Sequence, residues 1–380
     1  MNIGITGIFG SRVIDAYNIF FPHKKYAKKD IIVIGYGWAG KSFCDNIDYN
    51  KYNVQVVSKT DYMLNTPKLK DSIISTTNKQ LYKASSMKDL KINIDEVSSI
   101  NINKNNIQSK SNVYSYDYLV VALGGEVNDF NIKGVKENCC FLKTKDDLYN
   151  LRKQLYNNNN KPIDNLENWK PFKINKQIVI MGGGPVGIEL AFQLSKHCDD
   201  IKIIEGLDKI LPMFSDEAKE KVKKELEKEN IKLILGNQVT KVEPNMIYSN
   251  EKIRNETIER HHYYDVAIWN CGIKSNSIIK QLTDQRSVPV NENFMFKDNV
   301  YVVGDLVASK EIGPPTAQNA KQQGEYLANH FNNDFKSKPY KFIEKGRLIH
   351  TKDSIIVDSQ LGVFSMPKIM EPIFDYLTGS

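Results

Sequence analysis

One pattern occurs twice in this chain and restricts the fold more than any other. A run of β-branched residues ends in a glycine-rich loop that opens a helix. Asp30-IIVI-Gly35 leads into Gly35-Tyr-Gly37-Trp-Ala-Gly40, and Gln177-IVIM-Gly182 leads into Gly182-Gly-Gly184-Pro-Val-Gly187. Such an apolar run reads as a strand buried on both faces of a parallel sheet. In the loop, the first glycine permits the tight turn, the second lets a pyrophosphate approach the backbone, and the third lets helix and strand pack closely. The phosphates rest on the N–H groups of the helix N-terminus. Helices are predicted over 38–48 and 186–196, with second strands at VQVVS (Val54 to Ser58) and IKIIE (Ile201 to Glu205). In both copies the second strand ends 23 residues after the first glycine. The recurrence predicts two copies of one dinucleotide-binding fold.

The two strand ends differ in ribose chemistry. A carboxylate at Glu205 accepts hydrogen bonds from both ribose hydroxyls and repels a 2′-phosphate. Gly206 follows it rather than an arginine, which favours NADH over NADPH, although Lys202 and Lys209 weigh the other way. At the first site the position falls to Ser58, followed by Lys59. Ser58 either bonds a hydroxyl with less charge assistance or only caps its strand.

The rest of the chain fits this frame. Its 380 residues suffice for two to three domains. With 41% apolar and 26% charged residues the composition is globular. A net charge of +7 suits anionic cofactors or an anionic membrane surface and does not indicate nucleic acid. The five cysteines form no CxxC or CxxxxC pair, which reads as buried thiols in a reducing compartment. No run of 18 apolar residues predicts a spanning helix. Residues 1–22 are apolar-rich and precede Lys24, Lys25, Lys28 and Lys29, so they form either a targeting or interfacial segment or an arm. Further strands are expected within Tyr116–Gly125, Asp265–Gly272 and Asn299–Asp305. Amphipathic helices are expected over Ser215–Glu229, with Ser215 as N-cap, and over 315–331. Lys153–Pro171 reads as a linker, and His261–His262 as a surface turn rather than a metal site.

Taken in order, these motifs resemble the two-dinucleotide-binding-domain flavoproteins, and more specific pieces resemble type II, non-proton-pumping NADH:quinone dehydrogenases. The pieces are GYGWAGKSF, VQVVSKTDYMLNTPKL, YDYLVVALGGEVNDFNIKGV, IVIMGGGPVGIELAFQL, VYVVGD and GPPTAQNAKQQGEYLANHF, within about residues 30–335. The resemblance implies an α/β protein with two Rossmann-like dinucleotide-binding domains, the NADH domain inserted in the FAD domain, and a short C-terminal segment. The implied division is an arm over 1–29, FAD binding by 30–145 and 285–337, NADH binding by 146–284, and a membrane or dimer contact over 338–380.

Site roles follow from the same resemblance. Gly35, Gly37, Gly40 and Ser58 would hold the adenosine and pyrophosphate of FAD. Trp38 would touch the flavin or pack under the pyrophosphate. Thr66 and Pro67 would border the isoalloxazine, with Gly124 in the same domain, and Gly304 and Asp305 would take the other end of FAD. Gly182, Gly184, Gly187 and Glu205 would hold NADH, with Gly272 closing over it and Glu189 near the nicotinamide. Ala317 and Gln318 would pack near the flavin, and Gln318 and Gln322 would line a quinone site. The implied reaction carries a hydride from NADH to FAD and two electrons on to the quinone, with no metal. Dimers are usual in that family. A peripheral place on a membrane, such as the mitochondrial inner membrane, is implied; the other expectation is a cytoplasmic location. Three departures stand out: Lys321 replaces a usual histidine, the segment after Pro67 is short, and the anchor-like end, about Met366 to Ser380, is abbreviated and carries Glu371 and Asp375. Two other readings stay open: a reductase of a soluble or protein acceptor, like ferredoxin reductases or apoptosis-inducing factor, and a non-catalytic NADH sensor.

Overall fold

The computed structural model describes residues 27–74, 82–83, 90–156, 173–254, 256–307 and 311–370. The apolar N-terminal stretch with Lys24 and Lys25, and the chain after Met370, lie outside them.

The first glycine-rich loop follows β1 (Lys29–Ile34), the centre of a six-stranded sheet. β1 is flanked by β2 (Tyr52–Ser58) and β4 (Tyr118–Val121), both parallel to it, with β3 (Lys91–Ile94) beyond β2. The sheet is completed by two late strands: β13 (Val300–Val302), parallel to β4, and β12 (Met295–Lys297), antiparallel to β13. The loop therefore opens where the strand order turns back on itself, the crevice in which such sheets hold nucleotides. Ile31 to Ile34 are fully buried, as a strand covered on both faces requires.

The second unit lies in the chain between β4 and β12. Its four-stranded parallel sheet has the order β7 (Lys232–Ile234), β6 (Ile201–Ile204), β5 (Ile178–Met181), β11 (Val266–Trp269). Side chains of β5 alternate between two cores. Ile178 and Ile180 face a layer that includes the Lys145–Tyr156 helix, whereas Val179 and Met181 face a β-meander, β8 (Asn237–Glu243), β9 (Met246–Ile253) and β10 (Glu256–Tyr263). A ribbon of Gly125–Val127 paired with Ile273–Ser275 joins the two units. One nucleotide-binding fold is thus inserted in the other.

Four helices carry the site. α1 (Trp38–Asn46) and α2 (Pro185–Leu194) follow the two loops. α3 (Asp216–Lys228) buries Ala218, Val222 and Leu226, and the Ser215 hydroxyl accepts from the Ala218 N–H at its start. α4 (Ala317–Asn332), capped by Thr316, packs on α1.

Two expectations change, and the tail adds a sheet. His261 and His262 lie within strand β10, not in a turn, because the polar run alternates across an edge of the meander. Lys153 to Tyr156 finish a helix, and residues 157–172 of the expected linker lie outside the described part. Residues 347–367 form an antiparallel sheet, β14 (Arg347–His350), β15 (Ser354–Ser359) and β16 (Gly362–Pro367), which buries Ile349 and Ile356 in the core shared with α2 and α3. Asp358 accepts from the Ser215 N–H at 2.8 Å, and Lys352 pairs with Glu229 at 2.7 Å, fixing this sheet to the inserted unit.

Gly324 sits where α4 crosses α1. A Cβ there would overlap the Ala39 carbonyl oxygen and approach the Phe43 nitrogen to 2.9 Å. Gly324→Ala is therefore expected to destabilise the protein by roughly 1–3 kcal/mol through overpacking against backbone. Thermal unfolding followed by circular dichroism measures it; an unchanged Tm would show that the helices can move apart.

Candidate functional site: two matching glycine cradles

The two loops are built alike. Gly35 and Gly182 adopt left-handed φ values of +94° and +111°. A Cβ on either would lie 2.6–2.7 Å from a carbonyl oxygen of the neighbouring strand end, Ala122 or Asn270. At the third glycine, a Cβ on Gly40 or Gly187 would overlap the carbonyl oxygen of the first. The second glycines, Gly37 and Gly184, face open space, with nothing within 4 Å of an added Cβ. Each is also the N-cap of its helix, with no side-chain cap and no acidic residue in the first turn. The result is two uncapped helix starts with room above them, which suits a pyrophosphate.

The strand ends complete each cradle. Ser58 is buried at the end of β2, its hydroxyl 3.4 Å from the Thr60 nitrogen. The Glu205 carboxylate accepts from the Gly183 N–H at 2.6 Å and the Leu207 N–H at 2.8 Å, so it is held beside its own glycine loop. Trp38 donates toward Thr66 Oγ1 at 3.4 Å, bringing the short Thr66–Lys68 helix, with Pro67, to the first loop. Gly304 also comes to α1, since a Cβ there would lie 3.5 Å from that of Ala39. Asp305 begins the next turn, and Ala317 begins α4. Gly124 and Gly272 stand at opposite ends of the connecting ribbon.

Two buried amides point to missing partners. Gln323 Oε1 accepts from the Gly304 N–H at 2.6 Å, while its Nε2 has no acceptor among the described residues. Asn270, beside Gly182, likewise has an orphaned Nδ2. Buried donors normally find acceptors. One beside each cradle fits groups rich in acceptor oxygens, such as the two dinucleotides FAD and NADH.

Glu189 enters a charged cluster that the sequence does not disclose. Its Oε2 lies 3.1 Å from Lys70 Nζ, and its Oε1 lies 2.6 Å from His350 Nδ1 and accepts from the His350 N–H at 2.9 Å. Lys70 also donates to the Pro67 carbonyl at 2.8 Å. The cluster thus ties the Thr66–Pro67 turn to the inserted unit and to the C-terminal sheet. Burial alone would push the Glu189 carboxyl up, but the Lys70 charge and the His350 contacts outweigh it and hold it at about 2. Glu189, Lys70 and His350 are far apart in sequence, and only buried charge at Lys70 could have hinted at the pairing.

Gln318 and Gln322 come together on α4, facing a strap formed by residues 343–345. Gln318 Oε1 accepts from the Lys345 N–H at 3.2 Å, and Gln322 exchanges two hydrogen bonds with the Ile343 backbone, at 2.9 and 3.0 Å. All five cysteines are free. Burial pushes the Cys44 thiol well up, and holds Cys139 and Cys271 at about 12 and Cys140 at about 11, so none offers a ready thiolate. Among the described residues no cluster of acidic, histidine and cysteine side chains could hold a metal, and no helix is long and apolar enough to cross a membrane.

Such paired cradles define a two-dinucleotide oxidoreductase fold. The family model for pyridine nucleotide-disulphide oxidoreductases matches residues 29–324, and the chain belongs to that family. A mitochondrial external alternative NADH-ubiquinone oxidoreductase of Yarrowia lipolytica is 28% identical, with 80% of this chain and 60% of that protein covered. An external alternative NAD(P)H-ubiquinone oxidoreductase B1 of Solanum tuberosum is 28% identical, with 74% and 55% covered. The chain therefore spans less than two thirds of these relatives. NDH2 of Plasmodium falciparum, solved in complex with NADH, superposes with a TM-score of 0.78 at 22% identity, covering 92% of this chain and 94% of that one. Sulfide:quinone oxidoreductase of Aquifex aeolicus gives 0.72 at 17% identity, covering 92% and 90%. These two likenesses establish the fold.

The Glu189 cluster makes a stability prediction. Its carboxyl lies below the value of about 4.3 expected unfolded. The fold therefore binds the ionised form, and its contribution is complete above about pH 4.3 and lost as pH falls toward about 2. Glu189→Gln should flatten that part of the stability profile. Lys70→Met, which strands a buried carboxylate, should cost roughly 3–5 kcal/mol at pH 7. Denaturant unfolding at stepped pH measures both, and a Lys70→Met loss under 1 kcal/mol would mean that His350 suffices.

Proposed function

We propose that this chain is an FAD-dependent oxidoreductase that takes a hydride from NADH and delivers two electrons to a quinone without pumping protons, the activity of a type II NADH dehydrogenase. The duplicated cradle carries the reading: two equivalent anion sites, one ending in Ser58 and the other in Glu205, suit two different dinucleotides. The NADH- and NAD(P)H-ubiquinone oxidoreductases of Yarrowia lipolytica and Solanum tuberosum supply the acceptor by analogy, and the Plasmodium NDH2 complex with NADH supplies the donor in the same way. In this reading residues 30–145 and 285–337 hold FAD, and 146–284 hold NADH.

FAD held by the first cradle at Gly35, Gly37 and Gly40 would supply two-electron chemistry, with reduced nicotinamide as its hydride donor. The protein's own work is placement. The α1 and α2 N-termini meet the two pyrophosphates, and Glu205 accepts from ribose hydroxyls and repels a 2′-phosphate. Gln323 holds the Gly304 backbone, and its unpartnered amide N–H would be available to FAD. Glu189 has both oxygens engaged and stays a carboxylate near neutral pH, so it anchors the Pro67 turn through Lys70. Gln318 and Gln322, with the strap they bind, form the wall on the acceptor side. A quinone acceptor places the protein at a membrane surface, and the mitochondrial relatives suggest which one; a homodimer fits the same reading.

Anaerobic stopped-flow absorbance tests it. Purified yellow protein mixed with NADH should bleach at the flavin band, and a second mix with short-chain ubiquinone should restore the colour within the same turnover time. Bleaching without a quinone response would move the acceptor to a protein or soluble oxidant. Protein that carries no flavin, or does not bleach, would refute the enzyme.

A further inference from the structure

The paired histidines are a sequence feature that this redox reading leaves unused, and the two rings go to opposite faces of β10. His261 turns outward to an exposed pairing with Glu259 at 2.8 Å. His262 turns inward, its Nε2 lying 2.8 Å from the hydroxyl of Ser249, which is fully buried. Ser249 donates to Asn237 Oδ1 at 3.1 Å, and Asn237 Nδ2 donates to the Leu235 carbonyl at 2.9 Å.

The direction of this chain is fixed by elimination. A carbonyl oxygen only accepts, so the Asn237 NH2 faces Leu235 and its Oδ1 faces Ser249. Ser249 has one proton, which goes to Asn237, so His262 must donate from Nε2. Burial first, then the charge of Lys202, lowers the His262 pKa and favours the neutral ring with that single proton. The far end reaches the adenosine site. The Asn237 N–H donates to the Glu205 carbonyl at 3.0 Å, and the Glu205 N–H donates to the Ile234 carbonyl at 2.8 Å. The Gly236 N–H donates to the Leu207 carbonyl at 2.8 Å. The segment that presents the Glu205 carboxylate is therefore stapled to residues 234–237, and Asn237, its last link, is held in turn across three strands by Ser249 and His262.

We propose that His262, Ser249 and Asn237 are positioning residues for Glu205, which set how tightly and how selectively the adenosine half of a nicotinamide dinucleotide is held. The inference rests on reading Glu205 as the ribose ligand. Losing one buried hydrogen bond in the chain lets the Glu205 segment shift, which weakens NAD+ while scarcely affecting NADP+, whose 2′-phosphate Glu205 repels in any case.

Isothermal titration of the flavin-loaded protein with NAD+ and with NADP+ reads this without turnover. Ser249→Ala and His262→Ala should each weaken NAD+ about fivefold and narrow the preference over NADP+. The double variant should be little worse than either alone, because the residues act in series. Ser249→Thr, which keeps the hydroxyl, should recover most of the affinity, whereas the two alanine variants should raise the KM for NADH with kcat unchanged. Wild-type affinity for NAD+ in folded Ser249→Ala would overturn the proposal. If that variant does not fold, His262→Ala, altered at a half-buried edge position, decides in its place. Wild-type protein that binds neither nucleotide would instead remove the reading of Glu205, and the inference with it.

Discussion

The site depends on how closely a helix can start against the strand before it. At Gly40 and Gly187 the helix backbone lies against the carbonyl oxygen of the first loop glycine, nearer than any side chain permits. That contact aims the first-turn N–H groups over the end of the strand rather than away from it. The partial positive charge of the helix start then falls where strand order reverses and a crevice is already present. The same contact in both units explains why their hydrogen bonds also match: Gly35 donates to the Val57 carbonyl as Gly182 donates to that of Ile204.

The charged cluster at Glu189 solves a different problem. Two nucleotide folds that meet at a crevice need a fixed relative position if two cofactors are to touch. Apolar packing holds each unit, and Leu69 and Ile73 of the first join the core of the second, but such contacts are non-directional. Lys70 comes from the first unit, Glu189 from the inserted one, and His350 from the C-terminal sheet. Buried ion pairs add little net stability, because desolvation cancels most of the attraction. Their use here is specificity of arrangement: an unpaired Glu189 is costly, so alternatives that separate the three segments are disfavoured.

The architecture was legible because its signals are local. Apolar runs, glycine spacing and the Ser215 cap each act within a few residues, and the strands and helices fall within a few positions of expectation. The placement of Glu205 beside its glycine loop was legible for the same reason, being a fixed distance from Gly182. What escaped was produced by long-range packing. Nothing near Gln323 marks it as the partner of Gly304 rather than its neighbour Gln322. Nothing near His350 points to Glu189, 161 residues away. The paired histidines misled because the polar stretch Glu259 to Asp265 reads as a turn unless the strand beside it is known, and the pairing of β9 with β10 makes Glu259 to Tyr263 strand.

The cysteines show how a shared fold diverges in chemistry. Disulfide exchange needs a thiolate whose pKa lies near ambient pH, with a second thiol in reach. Here Cys44 takes a place on α1 next to the cradle, yet its side chain is fully buried in the core with Phe43 rather than facing the crevice. Its high pKa follows from that burial. In the proposed reaction these thiols would therefore give no relay for the electrons, and the acceptor would have to reach the flavin itself. In that reading the functional weight would fall on the wall proposed for the acceptor, where the Gln318 and Gln322 amides are tied to the 343–345 strap by bonds that a competing polar ligand could replace one for one.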